Sequence, residues 1–248
     1  MSRRHDAAMA FCSALLAAMP SLAMAQISVA SGQNAAPVDL TGYWVSLITD
    51  EWTSRMLTPP AGDYRSMPLN DAGRTQADRW DPAADEAAGE ACKGYAAPAL
   101  MRLPSRLHIT WQDPMTLRVE VDTGTQTRLF HFDHNTPPGP RTWQGHSLAQ
   151  WEIVRSAELS AETVAGALHV DTTNLQSGYL QKNGVPFSDS VFVTEFFNVL
   201  VGEDESEYLA VQIFVEDPTY LSDHWVKTVQ FRREPDAEHW NPTPCSAY

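Results

Sequence analysis

Short runs of apolar and β-branched residues, separated by turn signals, dominate the chain from Pro104 almost to its last residues. Leu117, Val119 and Val121 alternate with charged residues, which is the period-2 pattern of a strand with one buried face. Such runs give eight candidate strands, at 105–111, 116–122, 125–132, 147–155, 167–173, 191–200, 207–216 and 225–233. No βαβ spacing separates them, so the sequence predicts antiparallel pairing.

Two turn signals indicate how neighbouring strands connect. Asp122-Thr123-Gly124 predicts one hairpin, and Asn183-Gly184 predicts a turn between Gly178-Tyr179-Leu180 and the strand that contains Phe192. Eight or nine strands with tight turns are typical of closed or strongly curved sheets. We therefore predict a mainly β fold, either an antiparallel β-barrel or a strongly curved sheet.

The first strand is predicted in an aromatic and β-branched run from Leu40 to Ser46. This run contains Gly42-Tyr43-Trp44, which is similar to the G-x-W motif on the first strand of lipocalin-like barrels. The resemblance covers three residues and implies a tryptophan that closes the floor of a barrel.

Prolines interrupt the strand pattern between this first strand and the others. We predict an irregular insertion over 58–104 with short helices around Asp71–Trp80 and Ala84–Lys93. Insertions of this length are often lids or walls of a site, and a plain surface arm is equally consistent. Residues 39–248 are predicted to form a single β-rich domain, preceded by a flexible leader of small and polar residues at 26–38.

Residues 1–25 have the pattern of a secretory signal peptide. Arg3 and Arg4 give a charged start, 7–22 is apolar, and Ala23-Met24-Ala25 matches a small-x-small cleavage site. The apolar stretch is too short for a stop-transfer helix, and an uncleaved anchor is the alternative. We expect a periplasmic or secreted protein without stable membrane insertion.

Removal of the signal peptide leaves two of the three cysteines, Cys92 and Cys245. An even pair in an oxidising compartment predicts a disulfide bond, with two unpaired thiols as the alternative. The chain has 17 Lys and Arg against 31 Asp and Glu, and loss of Arg3, Arg4 and Asp6 leaves 15 against 30. A surface so acidic repels phosphate backbones, so nucleic acid is excluded as a partner, whereas a homo-oligomer is left open.

Two stretches carry a further resemblance. One runs from Trp143-Gln144-Gly145-His146-Ser147 through Trp151-Glu152 to Leu168-His169-Val170-Asp171-Thr172, and the other from Asn183-Gly184-Val185-Pro186-Phe187-Ser188 through Thr194-Glu195 to Glu216-Asp217-Pro218. They resemble the W-x-G-H-S, W-E, V-D-T and G-x-P-H-S, E-R, D-P motifs of a broad group of functionally uncharacterised secreted bacterial proteins. Phe187 and Phe196 replace a His and an Arg of that group. The resemblance implies an exported β-rich domain and transfers no activity.

Familiar catalytic signatures are absent from the sequence: it has no G-x-S-x-G, P-loop, dinucleotide glycine run or H-E-x-x-H. We predict neither a cofactor nor a metal. His131 and His134 flank Asp133, but the two imidazoles point to opposite faces of a strand, which disfavours a shared metal ion.

The candidate catalytic residues are Arg128, His131, His146 and Glu195. His146 lies between tryptophans near carboxylates, where an imidazole suits a general base, or it is a histidine that fixes a turn. Glu195 lies in an apolar strand, where it is either an acid with a raised pKa or a structural ion-pair partner of Arg128. The candidate ligand-binding residues are Trp111, Trp143, Asp171 and Tyr179, because aromatic rings suit the walls of an apolar site.

Three functional hypotheses follow. The first is an exported cofactor-independent enzyme, a lyase, hydratase/dehydratase or isomerase, that acts on a small apolar or aromatic compound in the barrel lumen. It requires His146, Glu195 and Arg128 to converge on one pocket. The alternative is a carrier or binding protein for a hydrophobic small molecule, without catalysis. The third is a structural module of the envelope, which needs no pocket.

Overall fold

The computed structural model describes residues 26–155 and 165–248, so the predicted signal peptide at 1–25 lies outside the described residues. The strands in the described part are β1 Gln26–Ala30, β2 Gly42–Leu47, β3 Arg106–Asp113, β4 Thr116–Val121, β5 Gln126–His131, β6 His146–Arg155, β7 Ala165–Thr173, β8 Gly178–Gln181, β9 Val185–Phe187, β10 Phe192–Val201, β11 Glu207–Glu216 and β12 Trp225–Glu234. The helices there are α1 Trp52–Met56, α2 Asp71–Ala77, α3 Pro82–Ala87 and α4 Ala97–Leu100, with 3-10 turns at Gln33–Ala35 and Ala91–Tyr95.

Nine strands close into a barrel in the order β6-β5-β4-β3-β2-β12-β11-β10-β7, and β7 pairs back with β6. The neighbours are antiparallel except for β5 and β6, because the connection 132–145 returns the chain beside the end of β5 in the same direction. Closure removes the exposed edges of an open sheet. The predicted barrel is confirmed, and all nine of its strands coincide with strands predicted from the sequence.

The barrel interior is filled by large side chains from alternate strand positions. Trp44, Phe130, Trp151, Phe197 and Phe231 are all completely buried. Trp44, from the G-x-W motif, donates from Nε1 to the carbonyl of Leu40 at 2.9 Å. The Arg233 guanidinium lies 4.1 Å from the centroid of the Trp44 ring. This cation–π contact closes the barrel end where β2 begins and β12 finishes.

The leader at 26–38 differs from its prediction. Its first residues form β1, which pairs with the part of β6 that extends past β5, and Trp151 donates from Nε1 to the carbonyl of Gly32. Val29 is 62% exposed, whereas Ala30 packs against the core. A strand this short offers too few residues for a period-2 pattern to be recognised in the sequence.

The segment between β2 and β3 contains the four helices given above and includes the insertion predicted over 58–104, but it begins earlier, because helix α1 precedes Thr58. Helix α2 begins after Asn70, whose side chain accepts a hydrogen bond from the Gly73 amide, and it confirms the helix predicted around Asp71–Trp80. The second helix lies earlier than predicted, because Asp81 caps it and Pro82 begins it. Helix α4 is entirely buried and packs into the same hydrophobic core as the barrel strands.

The turn at Asn183-Gly184 joins β8 to the short strand β9 instead of leading directly to the strand that contains Phe192. Gly184 has a φ of 87°, and a Cβ atom there would lie 2.2 Å from Trp80. Asn183 donates to the carbonyls of Pro60 and Asp63. The turn therefore holds the insertion against the hairpin of β8 and β9.

The sulfur atoms of Cys92 and Cys245 are 1.97 Å apart, which is disulfide distance. The pairing ties the 3-10 turn of the insertion to a residue 153 positions later in the chain. It confirms the cysteine pair predicted from the sequence.

Replacing both cysteines with serine should lower the free energy of unfolding by about 2–5 kcal/mol, because the open unfolded chain gains conformational entropy. Urea denaturation of the two proteins measures this difference. A reducing agent should weaken the parent protein and leave the Cys92→Ser/Cys245→Ser variant unchanged. Equal stability of oxidised parent and variant would contradict the stabilising role.

Candidate functional site

Two of the candidate catalytic residues, Arg128 and Glu195, form an ion pair inside the barrel. Both side chains are completely buried, and Arg128 donates from Nη1 and Nη2 to the two carboxylate oxygens of Glu195, at 2.9 and 2.5 Å. The parallel two-bond geometry is that of a strong arginine–carboxylate pair. The arrangement is the structural ion pair that the sequence left as one of two alternatives.

The ion pair is surrounded by side chains from the strands where the barrel closes, β5, β6, β7 and β10. Arg128 also donates to Thr172 Oγ1 at 3.1 Å, and that hydroxyl lies 2.8 Å from Ser147 Oγ. The guanidinium is 4.8 Å from the centroid of Phe130, which packs on Phe197. The lumen around the pair is thus occupied by protein side chains.

The two histidines lie on the opposite side of the barrel wall. On β5 and β6 the inward positions are Arg128 and Ser147, whereas His131 and His146 are half-buried on the outer face. Their rings stack with centroids 5.4 Å apart. Burial lowers the pKa of His131, and the nearby charge of His146 lowers it further.

The required convergence of His146, Glu195 and Arg128 is therefore wrong. In the described residues, His146 has no ion pair or side-chain hydrogen bond, and its buried Nε2 has no partner. The wall of the barrel separates its imidazole from the lumen pair.

The four candidate ligand-binding residues are also dispersed. Trp111 packs on Phe132, with ring centroids 5.4 Å apart, and Trp143 donates to the carbonyl of Ser177. Tyr179 donates to Asp85 Oδ2 at 2.7 Å, and burial together with this carboxylate raises the pKa of its phenol. Asp171 accepts from Thr194 on the outer face of the barrel. Each of the four has a structural contact of its own.

A cavity of about 870 Å³ lies at the barrel end where β2 and β4 finish and β3 and β12 begin. Twenty of its 25 lining residues belong to the insertion between β2 and β3. The insertion is thus a wall of this cavity, which was one of the two interpretations of its sequence. We call this space the barrel-end cavity.

Apolar side chains line both the base and the rim of the barrel-end cavity. Trp225, the first residue of β12, is 3% exposed, and Leu180 on β8 is also buried. Trp52, Met56 and Leu57 on and beside α1 are more than half exposed, at 67, 56 and 65%. Solvent-exposed large apolar residues grouped beside a cavity are typical of a surface that meets an apolar partner or ligand.

A glutamate at the start of α1 ties this wall to the barrel. Glu51 accepts from Lys227 Nζ on β12 and from Arg102 Nη2, both at 2.6 Å. Its backbone is left-handed, with a φ of 44°, a conformation that costs a non-glycine residue about 1–3 kcal/mol at strained sites. Burial raises the pKa of Glu51, but the hydrogen bonds and charges of Lys227 and Arg102 outweigh it and hold the pKa below its usual value.

Two arginines, Arg55 and Arg102, lie next to each other beside Glu51. Arg55, the only buried residue of α1, donates from Nε to the carbonyl of Arg102 and from Nη1 to Asp50, both at 2.9 Å. The Arg102 guanidinium lies 5.2 Å from the centroid of the Trp225 ring. Burial, and next the positive charge of Arg102, lowers the pKa of Arg55.

The sequence reasoning missed these cavity residues. Glu51, Arg55 and Arg102 lie in a segment of short helices and prolines, where no periodic pattern assigns a side chain to an inner face. The usable signal was the length of the insertion itself, together with the apolar residues Trp52, Met56 and Leu57 in a region without a strand pattern.

Replacing Glu195 with glutamine should lower the free energy of unfolding by about 3–5 kcal/mol, because it leaves the buried Arg128 charge uncompensated. The double variant Arg128→Met/Glu195→Leu should lose less than the sum of the single changes, since no charge remains in the core. A urea double-mutant cycle measures the coupling. Additive losses would contradict the ion pair.

Replacing Glu51 with glutamine should lower the free energy of unfolding at pH 7 by about 1–3 kcal/mol, through loss of charged hydrogen bonds. Since the folded pKa of Glu51 is lowered, its stabilisation is present above the ordinary glutamate pKa and is lost as the pH falls through the folded pKa. The difference from the parent should therefore vanish in acid. Glu238→Gln, at an exposed position, is the control, and an equal pH dependence in both variants would refute the prediction.

Comparison of the chain with known protein families, curated proteins and solved structures finds no match. In the described part of the chain, no helix is long and apolar enough to cross a membrane. Residues 26–155 and 165–248 also contain no group of three or more His, Cys, Asp or Glu side chains placed to hold a metal ion. The candidate site therefore rests on the geometry of the barrel-end cavity.

Proposed function

We propose that this protein is an exported binding protein that holds an apolar small molecule in the barrel-end cavity. The observation that carries the proposal is the cavity itself, whose volume of about 870 Å³ falls within the range of about 300–1,000 Å³ typical of small-molecule sites. The filled barrel forms a rigid base for the cavity, and the insertion forms its wall. Such a division between scaffold and binding segment is common in ligand-binding domains.

The lining supports an apolar ligand. Trp225 and Leu180 offer buried apolar surface, and Trp52, Met56 and Leu57 offer exposed apolar surface at the rim. Burying the exposed surface under a ligand gains about 25 cal/mol per Å² of apolar area. The same cavity argues against a purely structural envelope module, for which no pocket is needed.

Binding is favoured over catalysis because the candidate acid–base groups do not meet. Arg128 and Glu195 form an ion pair inside the barrel, and the stacked pair His131 and His146 lies outside it. None of these four residues lines the barrel-end cavity. The lyase or isomerase suggested by the sequence stays a prediction, and product analysis after incubation with each bound compound is its test.

Export is part of the proposal and has two supports. The first 25 residues have the charged, apolar and small-x-small pattern of a cleavable signal. Cys92 and Cys245 lie at disulfide distance, and disulfides persist mainly in oxidising compartments. N-terminal sequencing of the protein isolated from its native host tests both cleavage and location.

A thermal-shift screen of aliphatic and aromatic compounds tests binding. A ligand at about a hundredfold excess over its Kd stabilises the folded state by about 2.7 kcal/mol, which raises Tm by several degrees. Calorimetric titration of each hit gives the affinity. A screen in which no apolar compound raises Tm or releases heat would contradict the proposed function.

The location of the binding site is tested by the same leucine-to-tryptophan substitution at two positions, one in the cavity lining and one outside it. Leu103→Trp adds a bulky side chain to the lining of the cavity and should weaken binding at least about tenfold. Leu200→Trp makes the same change at an exposed position on β10 outside the lining and should bind like the parent. Unchanged binding in the Leu103→Trp variant would place the ligand elsewhere.

A further inference from the structure

Three hydrogen-bond donors on the wall of the barrel-end cavity have no partner. They are Arg55 Nη2, Arg102 Nη1 and Trp225 Nε1, all of them buried atoms. The side chain of Arg55 is 1% exposed and that of Arg102 is 10% exposed. Buried donors are nearly always satisfied in folded proteins, and an unsatisfied one costs about 1–3 kcal/mol, more when charged.

These donors share one neighbourhood. Arg55 Nε donates to the backbone carbonyl of Arg102, and the Arg102 guanidinium lies over the ring of Trp225. All three residues line the cavity. An acceptor group bound in the cavity would therefore have two guanidinium groups and an indole on the wall beside it.

The charge of the lining has the opposite sign to the charge of the chain. The lining contains four cationic side chains, Arg55, Arg65, Arg102 and Lys182, and two acidic ones, Glu51 and Asp63. The whole chain carries 17 basic residues against 31 acidic ones. An excess of positive charge in one cavity of an acidic protein favours an anionic ligand group at that place.

The pairing of these charges leaves the two arginines short of acceptors. Glu51 is shared between Arg102 and Lys227, and Asp63 is paired with Arg65. Among the described residues, the one carboxylate paired with Arg55 is that of the half-exposed Asp50. The pKa of Arg55 is lowered by burial and then by the charge of Arg102. A bound anion would offset the repulsion between the two guanidinium groups.

We infer that the ligand of the barrel-end cavity is an apolar monocarboxylate, whose carboxylate is received by the Arg55 and Arg102 guanidinium groups and the Trp225 N–H. A planar carboxylate matches the fork of a guanidinium and accepts at both oxygens. Its apolar body lies against Leu180 and the residues of α1. This inference rests on the proposed function and adds the chemical class of the ligand.

Matched ligands test the inference on the parent protein. Decanoate and 1-decanol have the same chain length and differ in the head group, and both are titrated by calorimetry at pH 7. Decanoate should bind at least about tenfold more tightly, since charged hydrogen bonds are the stronger kind. Equal affinity would overturn the carboxylate inference while leaving the cavity as a binding site. Binding of neither compound, nor of any apolar compound in the screen, would overturn the proposed function.

Substitutions of Arg55 test whether this residue causes the preference for decanoate over 1-decanol. Arg55→Met should lower decanoate affinity at least about tenfold and leave 1-decanol affinity within about twofold. Retained 1-decanol binding shows that this variant folds, and the more conservative Arg55→Lys serves the same comparison if it does not. Arg118→Met removes one positive charge from the outer face of β4, far from the lining, and should change neither affinity. An equal loss in Arg118→Met, or undiminished decanoate preference in both Arg55 variants, overturns the assignment.

Discussion

The buried pair of Arg128 and Glu195 lies where the barrel closes. Its partners come from four strands that are consecutive around the wall, with Arg128 on β5, Ser147 on β6, Thr172 on β7 and Glu195 on β10. This part of the wall contains the parallel pair of strands β5 and β6. A charge in the core is tolerable only when its partner is in place, so the pair favours the one register that brings β5 and β10 to the same level.

A filled interior determines where function can be located. Phe130 and Phe197 pack beside the ion pair, so the centre of the barrel contributes stability and shape. The ligand site that we propose therefore lies at an end of the barrel. One end is closed by Trp44 and Arg233, and the opposite end carries the insertion and the barrel-end cavity.

Short apolar and β-branched runs between turn signals were sufficient to predict the barrel strands, because each strand buries one face in a common core. The sequence also suggested an ion pair between Arg128 and Glu195 as one of two roles for Glu195, since a buried carboxylate in an apolar strand needs a partner. The sequence could not place His146 relative to Glu195. Which side chains of two distant strands lie on the same face of the barrel wall depends on the register between those strands. Sequence reasoning also missed β1, which is too short to show a period, and the residues of the cavity wall, which follow no period.

Charge pairing, rather than burial, orders the part of the cavity wall that is formed by α1. Helix α1 buries only Arg55, so it gains little from the hydrophobic effect, and it starts at Glu51 in a strained backbone conformation. The contacts that hold it run from Asp50 to Arg55 and from Arg102 through Glu51 to Lys227 on β12. Such a wall is sensitive to pH and salt, unlike the apolar barrel beneath it. A ligand carboxylate at the two arginines would add the acceptor that this series of charges lacks, so binding and ordering of the wall would reinforce each other.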